Sequence, residues 1–325
     1  MIKRMCTLKL PDIPQPTEIE VELTNYCNAS CVACPRDRIT VPQGLMSMKT
    51  FETVISKYER YLEESPINKI SGKMHYPFIT FAGLGEPLLH PQIAEFVSKS
   101  KKRGFSTVLF TNASMLTPKC ARALLKSGID RVYISFWGIK KNEYEKAMGL
   151  DYERVLRNIE HFATCGSNSV SLTITWIQSP IISSTVSEIR EFWREKGIAV
   201  DIDAQPWNRA GYLTNSIFDS VFCRYSSIDY SKKIWCSQLF FADTISWNGD
   251  VILCSQDYFE KRHVFGNINN SSPLQIAQKK KKILTRKMRL ELCLRCKKPS
   301  HNYPFGSQPW DNVLDANEKS KYWYP

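Results

Sequence analysis

The sequence lacks several features that would assign it to a simple class. It has no apolar run long enough to cross a bilayer, and its positively charged N-terminus is not followed by the apolar stretch of a secretory signal. Its five histidines are scattered without ligand spacing. No internal repeat is visible, and no nucleic-acid-binding motif accompanies the net charge of +12. We therefore expect a cytoplasmic protein with no membrane segment.

Cysteine, by contrast, is plentiful, with eleven in 325 residues. A chain of this length buries roughly 75% of its unfolded surface, so it needs no disulfides to stay folded. In a reducing compartment such cysteines indicate metal ligation or redox chemistry.

The excess of positive charge is concentrated near the C-terminus. Residues 279–289, KKKKILTRKMR, carry seven positive charges. We interpret this stretch as a solvated face, with docking of an acidic peptide, a carrier protein or RNA as the alternative. Nucleic acid is the least favoured of these partners, because no matching module is present.

Strand-like and helical patterns alternate through the first two thirds of the chain. The strand candidates are residues 19–23, 78–83, 107–112, 131–136, 170–177 and 199–205, and the helical patterns cover 48–64, 91–104, 117–128, 152–166 and 186–197. This alternation predicts an α/β fold with a parallel sheet or partial barrel, whose chemistry lies at the carboxyl ends of the strands. The alternation of strand and helix patterns stops after about Trp207, and a hairpin with Asn248-Gly249 at its turn follows. We place domains at 1–210 and 211–325.

Cys27, Cys31 and Cys34 follow the first strand candidate directly, in the stretch CNASCVAC. A buried stripe on one helix is disfavoured by the neighbouring Asn25, Asn28 and Pro35. A zinc site that borrows a distant fourth ligand is the second alternative. The third is a [4Fe–4S] cluster held by three thiolates, with one iron left open for another ligand.

CNASCVAC resembles the CxxxCxxC signature of the radical S-adenosylmethionine (radical SAM) enzymes. Three further segments, each after a successive strand candidate, are similar to family motifs: GLGEP, FTNASMLT and ISFWG. The resemblance implies a partial (β/α)6 barrel, reductive cleavage of SAM at the open iron, and a flavodoxin- or ferredoxin-type electron donor. It implies SAM contacts at Gly83, Gly85, Glu86, Asn112 and Ser135.

Several residues depart from the family pattern or extend the predicted pocket. Ala33 stands where many members have an aromatic residue near the adenine, and Ala113 stands where a glycine is usual. Gln205 and Asn208, at the end of the last strand candidate, are predicted to hydrogen-bond SAM or a polar substrate.

A second cysteine set, Cys236, Cys254, Cys293 and Cys296, lies beyond the predicted barrel. A zinc ribbon built from these four residues is one interpretation. The pattern also resembles the SPASM/twitch extension of radical SAM enzymes, in its shorter form with one auxiliary [4Fe–4S] cluster. The resemblance implies that this cluster accepts an electron from the substrate radical.

Two residues are candidates for choosing the reaction. Cys223 could return a hydrogen atom to a carbon radical, which would make the protein an epimerase, although core packing is the simpler explanation. Asp257 could accept a proton during dehydrogenation, and the alternative is an aspartate that caps a turn. Cys120 and Cys165 fall on helical patterns and are predicted to pack in the core.

Three functional hypotheses follow. The first is hydrogen abstraction from a sugar- or aminocyclitol-like small molecule, which leads to dehydrogenation or epimerisation and resembles the twitch enzymes that oxidise an aminocyclitol alcohol. The second is modification of a ribosomally made peptide, disfavoured because the short N-terminal segment leaves no room for a leader-binding domain. The third is a zinc-containing protein that binds nucleic acid.

Overall fold

The protein is described here by a computed structural model that covers residues 16–36, 39–64, 69–70, 73–74, 77–166, 169–177, 179–203, 237–261, 263–285 and 290–296. A short antiparallel strand pair, Lys69–Ile70 with Lys73–Met74, stands apart from the main sheet. Among the described residues, no helix is both long enough and apolar enough to cross a membrane.

Nine strands form one sheet. Its strands are β1 (Glu18–Val21), β2 (Phe78–Phe81), β3 (Ser106–Thr111), β4 (Arg131–Ser135), β5 (Ser171–Ile177), β6 (Ala199–Asp203), β7 (Ala242–Ile245), β8 (Asp250–Ile252) and β9 (Val264–Asn267). Their order is β9-β8-β7-β1-β2-β3-β4-β5-β6, and β1 to β6 run parallel. The six strand candidates are confirmed, with ends that differ by a residue or two.

The helices lie between these strands or, in the case of the last two, after β9. They are α1 (Met48–Glu63), α2 (Ile93–Lys102), α3 (Pro118–Ser127), α4 (Lys141–Met148), α5 (Tyr152–Gly166), α6 (Val186–Arg194), α7 (Ser237–Phe241), α8 (Pro273–Thr285) and α9 (Glu291–Arg295). The side chains of Ser47 and Thr117 cap α1 and α3, and Gly128 ends α3 with a left-handed φ of 82°. The helix expected from Pro91 begins at Ile93, and a separate 3₁₀ turn over Pro87–Leu89 precedes it. Helix α4 was not predicted.

The C-terminal hairpin continues the main sheet. β7 pairs in parallel with β1, and the turn at Asn248-Gly249 leads into β8, which pairs antiparallel with β7. The strands of the cysteine-bearing segment therefore extend the sheet of the barrel, and together they form one nine-stranded sheet. The sequence did not predict this arrangement. The boundary placed near residue 210 lies outside the described residues and stays a prediction.

The two faces of the sheet differ in chemistry. Ile19 and Val21 of β1 and Ile79 and Phe81 of β2 are fully buried in the hydrophobic core with the helices. Successive side chains on a strand point to opposite faces, so Glu18 and Glu20 lie on the inner face of the barrel. The carboxyl end of β1 leads directly into the cysteine triplet, which places the triplet at the end of the barrel where such folds carry their chemistry.

The basic stretch is partly built into the fold. Lys280 of α8 is buried, and its Nζ donates hydrogen bonds to Asp243 Oδ1 at 2.5 Å and to the Ala242 carbonyl at 2.6 Å. Interpretation of the whole stretch as a solvated face is therefore wrong for Lys280. Residues 286–289 lie outside the described residues.

Candidate functional site

The unpredicted helix α4 holds the loop that carries the three cysteines. The Ser30 amide donates a hydrogen bond to the Met148 carbonyl at 3.0 Å, and the Val32 amide donates to the Ala147 carbonyl at 2.9 Å. Gly149 ends α4 with a φ of 67°, and a Cβ there would lie 1.9 Å from Ser30 Oγ. The last carbonyls of a helix need partners, and here the loop amides supply them.

Cys27, Cys31 and Cys34 lie together on this loop as half-buried thiols. Burial raises the pKa of Cys31 well above that of a free thiol, and the negative charges of Cys34 and Cys27 raise it further. Burial likewise raises the pKa of Cys27. Three mutually repelling thiolates are stable only beside positive charge, and a cluster of ferric and ferrous ions provides it.

The three cysteines of the loop were tested as a donor set for a metal ion or a cluster. Within the described part of the chain, no three Cys, His, Asp or Glu side chains converge closely enough to hold one metal ion. A zinc ion draws all its ligands onto one centre, whereas each cysteine of an iron–sulfur cluster binds a different iron. Three half-buried thiols on one loop are a donor set that such a cluster accepts.

The GLGEP segment packs against the backbone of the same loop. A Cβ at Gly85 would lie 2.1 Å from the Thr24 carbonyl oxygen, so only glycine allows this approach. The Glu86 amide donates to the Tyr26 carbonyl at 2.8 Å. Gly83 has a φ of 143° and lies over the Glu22 side chain.

Glu86 and Asn112 link three of the motif segments. Glu86 is buried; its Oε1 accepts from Thr111 Oγ1 at 2.6 Å and from the Leu88 amide at 3.0 Å, and its Oε2 accepts from the Asn112 amide at 2.7 Å. Asn112 Nδ2 donates to Asn28 Oδ1 at 3.2 Å and lies 4.0 Å from Cys27 Sγ. The Glu86 carboxylate therefore holds the GLGEP loop against the Thr111–Asn112 segment. Its role as a cofactor contact stays a prediction.

The residues that depart from the family pattern adapt without distortion of the loop. Ala113 takes the left-handed conformation that glycine would favour, with a φ of 56°, and its amide donates to Thr111 Oγ1 at 2.9 Å. Ala33 is buried in the core. Ser135, which does match the family pattern, lies at the end of β4. Its Oγ is 3.5 Å from Thr175 Oγ1 on the inner face of the barrel.

The second cysteine set is only partly described. Cys254 follows β8, Cys293 lies in α9 and Cys296 directly follows α9, whereas Cys236 lies outside the described residues. The predicted pocket residues Gln205 and Asn208 and the candidate hydrogen donor Cys223 also lie outside them.

Asp257 is fully buried, and its Oδ2 accepts a hydrogen bond from the His263 amide at 2.9 Å. That contact is typical of an aspartate that holds a loop, and the proposed proton transfer stays a prediction. The prediction that Cys165 packs in the core is wrong, because its side chain is exposed on α5.

Sequence reasoning missed three polar residues that hold the site together. Arg36 Nη1 donates to the Leu84 carbonyl at 2.8 Å, and Asn25 donates to the Pro42 carbonyl at 2.9 Å. Glu22 is buried at the end of β1, where its Oε1 accepts from the Leu84 amide at 3.2 Å and its Oε2 from the Trp247 amide at 3.4 Å. Glu22 thus joins the GLGEP loop to the C-terminal hairpin. For Glu22, the available signal was its alternation with Glu18 and Glu20 of the preceding strand β1.

Burial raises the pKa of Glu22 to about 7. The folded protein therefore favours the protonated form of Glu22. The contribution of this group to the free energy of unfolding is complete below pH 4.5 and is lost as the pH rises through 7. Glutamine mimics the neutral acid. As the pH rises from 4.5 to 7.5, we expect the free energy of unfolding of Glu22→Gln to increase by about 3 kcal/mol relative to that of wild type. Anaerobic urea unfolding of both proteins across this range measures the difference, and a difference that does not change with pH would contradict it.

Comparison with known proteins agrees with this geometry. The model of the radical SAM superfamily matches residues 21–179, and that of the SPASM iron–sulfur cluster-binding domain matches residues 236–297. A probable GTP 3′,8-cyclase of Methanothermobacter thermautotrophicus is 28% identical over 185 residues, which are 57% of this chain and 56% of the relative. The chain thus spans about half the length of this curated relative.

Two solved structures share the fold at low identity. BtrN in complex with AdoMet and 2-DOIA superposes with a TM-score of 0.59 at 19% identity, covering 89% of this chain and 97% of BtrN. Streptococcus suis SuiB bound to precursor peptide SuiA gives a TM-score of 0.55 at 16% identity, covering 88% of this chain and 70% of SuiB.

The matched domains imply a SAM-binding [4Fe–4S] cluster and an auxiliary iron–sulfur cluster, and the thiol arrangement on the α4-supported loop fits the first of them. The chain belongs to the radical SAM superfamily, as a partial (β/α)6 barrel followed by a SPASM iron–sulfur cluster-binding domain.

Proposed function

We propose that this radical SAM enzyme removes a hydrogen atom from a polar small molecule of the sugar or aminocyclitol type, which leads to dehydrogenation or epimerisation. The observation that carries this proposal is the chemistry of the inner face of the barrel. Glu20 is in register with Thr80 of β2 and with Thr244 of β7, so these three side chains share that face. Ser135 and Thr175 face each other on β4 and β5.

Hydroxyl and carboxylate groups on this face match a substrate with several hydroxyl or amino groups. Glu20 and Ser135 are half-buried, which leaves them partly accessible from the interior. A carboxylate accepts up to four hydrogen bonds, so the charge of Glu20 can serve a ligand in addition to protein partners. A site whose polar groups bond each substrate hydroxyl discriminates strongly against analogues that lack one.

We assign roles to the chain's own residues accordingly. Cys27, Cys31 and Cys34 hold the SAM-binding cluster, and Cys236, Cys254, Cys293 and Cys296 hold the auxiliary cluster. When bound, the first cluster and SAM supply the 5′-deoxyadenosyl radical that abstracts the hydrogen. The GLGEP loop, fixed by Glu86 and Arg36, shapes the SAM pocket beside the cysteine loop.

The test starts from the purified holoenzyme under anaerobic conditions, which should contain roughly eight irons for two clusters. With dithionite, we expect aminocyclitols and amino sugars to stimulate formation of 5′-deoxyadenosine more than precursor-type peptides or GTP do. Glu20→Gln should lower the kcat/KM for such a substrate by roughly 10- to 100-fold, because a charged hydrogen-bond acceptor is lost. The matched control is Glu52→Gln, which alters an exposed carboxylate paired with Lys99.

Several outcomes would contradict this proposal. Stimulation by peptides alone would favour the peptide-modifying alternative, and stoichiometric zinc without iron would end the radical SAM assignment of the cysteines. Turnover in deuterated water separates the two reactions. Deuterium at the product carbon that disappears in Cys223→Ala indicates epimerisation, whereas a ketone formed equally well by that variant indicates dehydrogenation.

A further inference from the structure

The side-chain amide of Asn112 lies beside the first cysteine of the loop. Asn112 is buried, and its Nδ2 donates to Cys27 Sγ at 4.0 Å and to Asn28 Oδ1 at 3.2 Å. A primary amide has two N–H groups, so these two acceptors account for both of them. Because Cys27 is one of the three cysteines that we assign to the SAM-binding cluster, this contact concerns the cluster itself.

The orientation of the Asn112 amide is fixed by Ser114. The Asn112 Oδ1 accepts a hydrogen bond from the Ser114 amide at 2.9 Å and another from the Ser114 hydroxyl at 2.6 Å. An Asn112 side chain turned by 180° would point its own N–H groups at the Ser114 amide, which can only donate. The nitrogen of the Asn112 side chain is therefore the end that faces Cys27.

The backbone around Asn112 is held as well. The Asn112 amide donates to Glu86 Oε2 at 2.7 Å. From α5, the Nδ2 of the buried Asn158 donates to the Ala113 carbonyl at 3.0 Å and to the Ser114 carbonyl at 3.3 Å. A side chain that is fixed at its backbone and at its oxygen is preorganised, so its N–H group needs little rearrangement to meet a charged sulfur.

We propose that Asn112 is a positioning residue whose amide donates a hydrogen bond to the Cys27 sulfur when that sulfur is a cluster ligand, and that it thereby raises the reduction potential of the SAM-binding cluster. The inference rests on the proposed role of Cys27 and goes beyond the predicted contact between Asn112 and SAM. Hydrogen bonds to an ionised acceptor are shorter and stronger than neutral ones. Reduction adds negative charge to a cluster, and donors to its sulfurs are among the groups that set its potential.

The experiment compares Asn112→Ala with wild type in the holoenzyme without SAM, where a lost contact with SAM cannot contribute. We expect iron content to be unchanged and the SAM-binding cluster to become harder to reduce, by about tenfold in the equilibrium constant, or about 59 mV for one electron. A potentiometric titration followed by electron paramagnetic resonance measures this shift. SAM added afterwards identifies the signal, because it binds only the cluster that has an open iron.

Asn112→Asp separates a hydrogen-bonding role from a structural one. Aspartate has the shape of asparagine and can still accept both hydrogen bonds from Ser114, but it presents an acceptor in place of the donor. We expect Asn112→Asp to lower the potential further than Asn112→Ala does, because a negative oxygen then faces the sulfur. A purely structural role predicts the reverse order, since alanine leaves the larger gap.

Asn28→Ala is the matched control. Asn28 is exposed and accepts from the other N–H of the same amide, so this variant disturbs the network and keeps the donor to Cys27. We expect it to keep the wild-type potential. The proposal is overturned by equal potentials in Asn112→Ala and wild type, by equal shifts in Asn112→Ala and Asn28→Ala, or by a smaller shift in Asn112→Asp than in Asn112→Ala. Loss of the cluster from both Asn112 variants would also overturn it, by showing a structural role.

Failure of the underlying assignment is distinguishable from failure of this one. If Cys27→Ala keeps the SAM-binding cluster, Cys27 is not a ligand and the premise falls. If Cys27→Ala loses that cluster while both Asn112 variants keep the cluster and its potential, only the role of Asn112 is refuted.

Discussion

Replacement of Cys31 by alanine should abolish reductive SAM cleavage and remove one of the two clusters. Cys31 is the middle cysteine of the triplet, and the Cys34 amide donates to its carbonyl at 3.0 Å, so these two residues form one tight turn. With only two thiolates left, the proposed cluster would lose a protein ligand in addition to the open iron. We expect iron content to fall by roughly half, from about eight to about four per chain.

The measurement is iron content together with 5′-deoxyadenosine formation under dithionite in the anaerobic protein. Cys120→Ala is the matched control, because Cys120 is a half-buried thiol in the first turn of α3 and belongs to neither proposed ligand set. The control should keep both clusters and full cleavage activity. Retention of cleavage in Cys31→Ala, or equal loss in both variants, would show that the triplet does not hold the SAM-binding cluster.

The parts of the fold that could be predicted are those encoded locally. Ser47 and Thr117 lie directly before apolar periodic segments, and each caps its helix through the side-chain oxygen. The strands of the barrel are short runs rich in β-branched and aromatic residues, bounded by turn residues. Both kinds of signal lie within a few residues of the element that they specify.

Helix α4 could not be predicted by the same signals. Its sequence, KNEYEKAM, has three apolar residues, and its N-cap Lys140 makes no side-chain capping bond. Tyr144, Ala147 and Met148 form a narrow buried stripe, and tertiary contacts with the cysteine loop stabilise the helix. This helix is the element that positions Cys31, so the site was recognisable from its motif while its support was not.

The junction between the barrel and the C-terminal segment was also beyond local reasoning. β1 and β7 pair although Glu18 and its partner Ala242 are more than two hundred residues apart in the chain. Such a pairing leaves no periodicity in either segment, because the partner of a strand is not encoded in its own sequence. Its consequence for the site is that Glu22 can bridge the GLGEP loop and Trp247.

Lys280 belongs to a run of charged residues, yet its side chain is buried in the fold. Its ammonium group is buried against Asp243, and the Asp243 Oδ2 also accepts from the Tyr58 hydroxyl at 2.5 Å. Burial and the nearby carboxylate raise the pKa of Tyr58 well above the usual range, so its hydroxyl remains a donor. The three side chains tie α8 and α1 to β7, next to the strand that leads into the cysteine loop.

We therefore expect Lys280→Met to destabilise the protein by about 3–5 kcal/mol, because a buried carboxylate would lose its ionic partner. Lys282→Met, two residues further along the same helix at an exposed position, should change stability by about 0.5 kcal/mol or less. Anaerobic urea unfolding of the holoenzymes compares the two substitutions. Equal effects at the two positions would show that the ion pair contributes nothing.

A second substitution separates the loss of a charge partner from the loss of packing. In Lys280→Met, the remaining penalty comes mainly from the Asp243 carboxylate, so Asp243→Asn in that background should recover part of the lost stability. Asp243→Asn alone should be destabilising, since it leaves the Lys280 ammonium buried beside a neutral amide. Recovery in the double variant identifies the charge as the source of the effect, whereas additive losses would assign it to packing between α8 and β7.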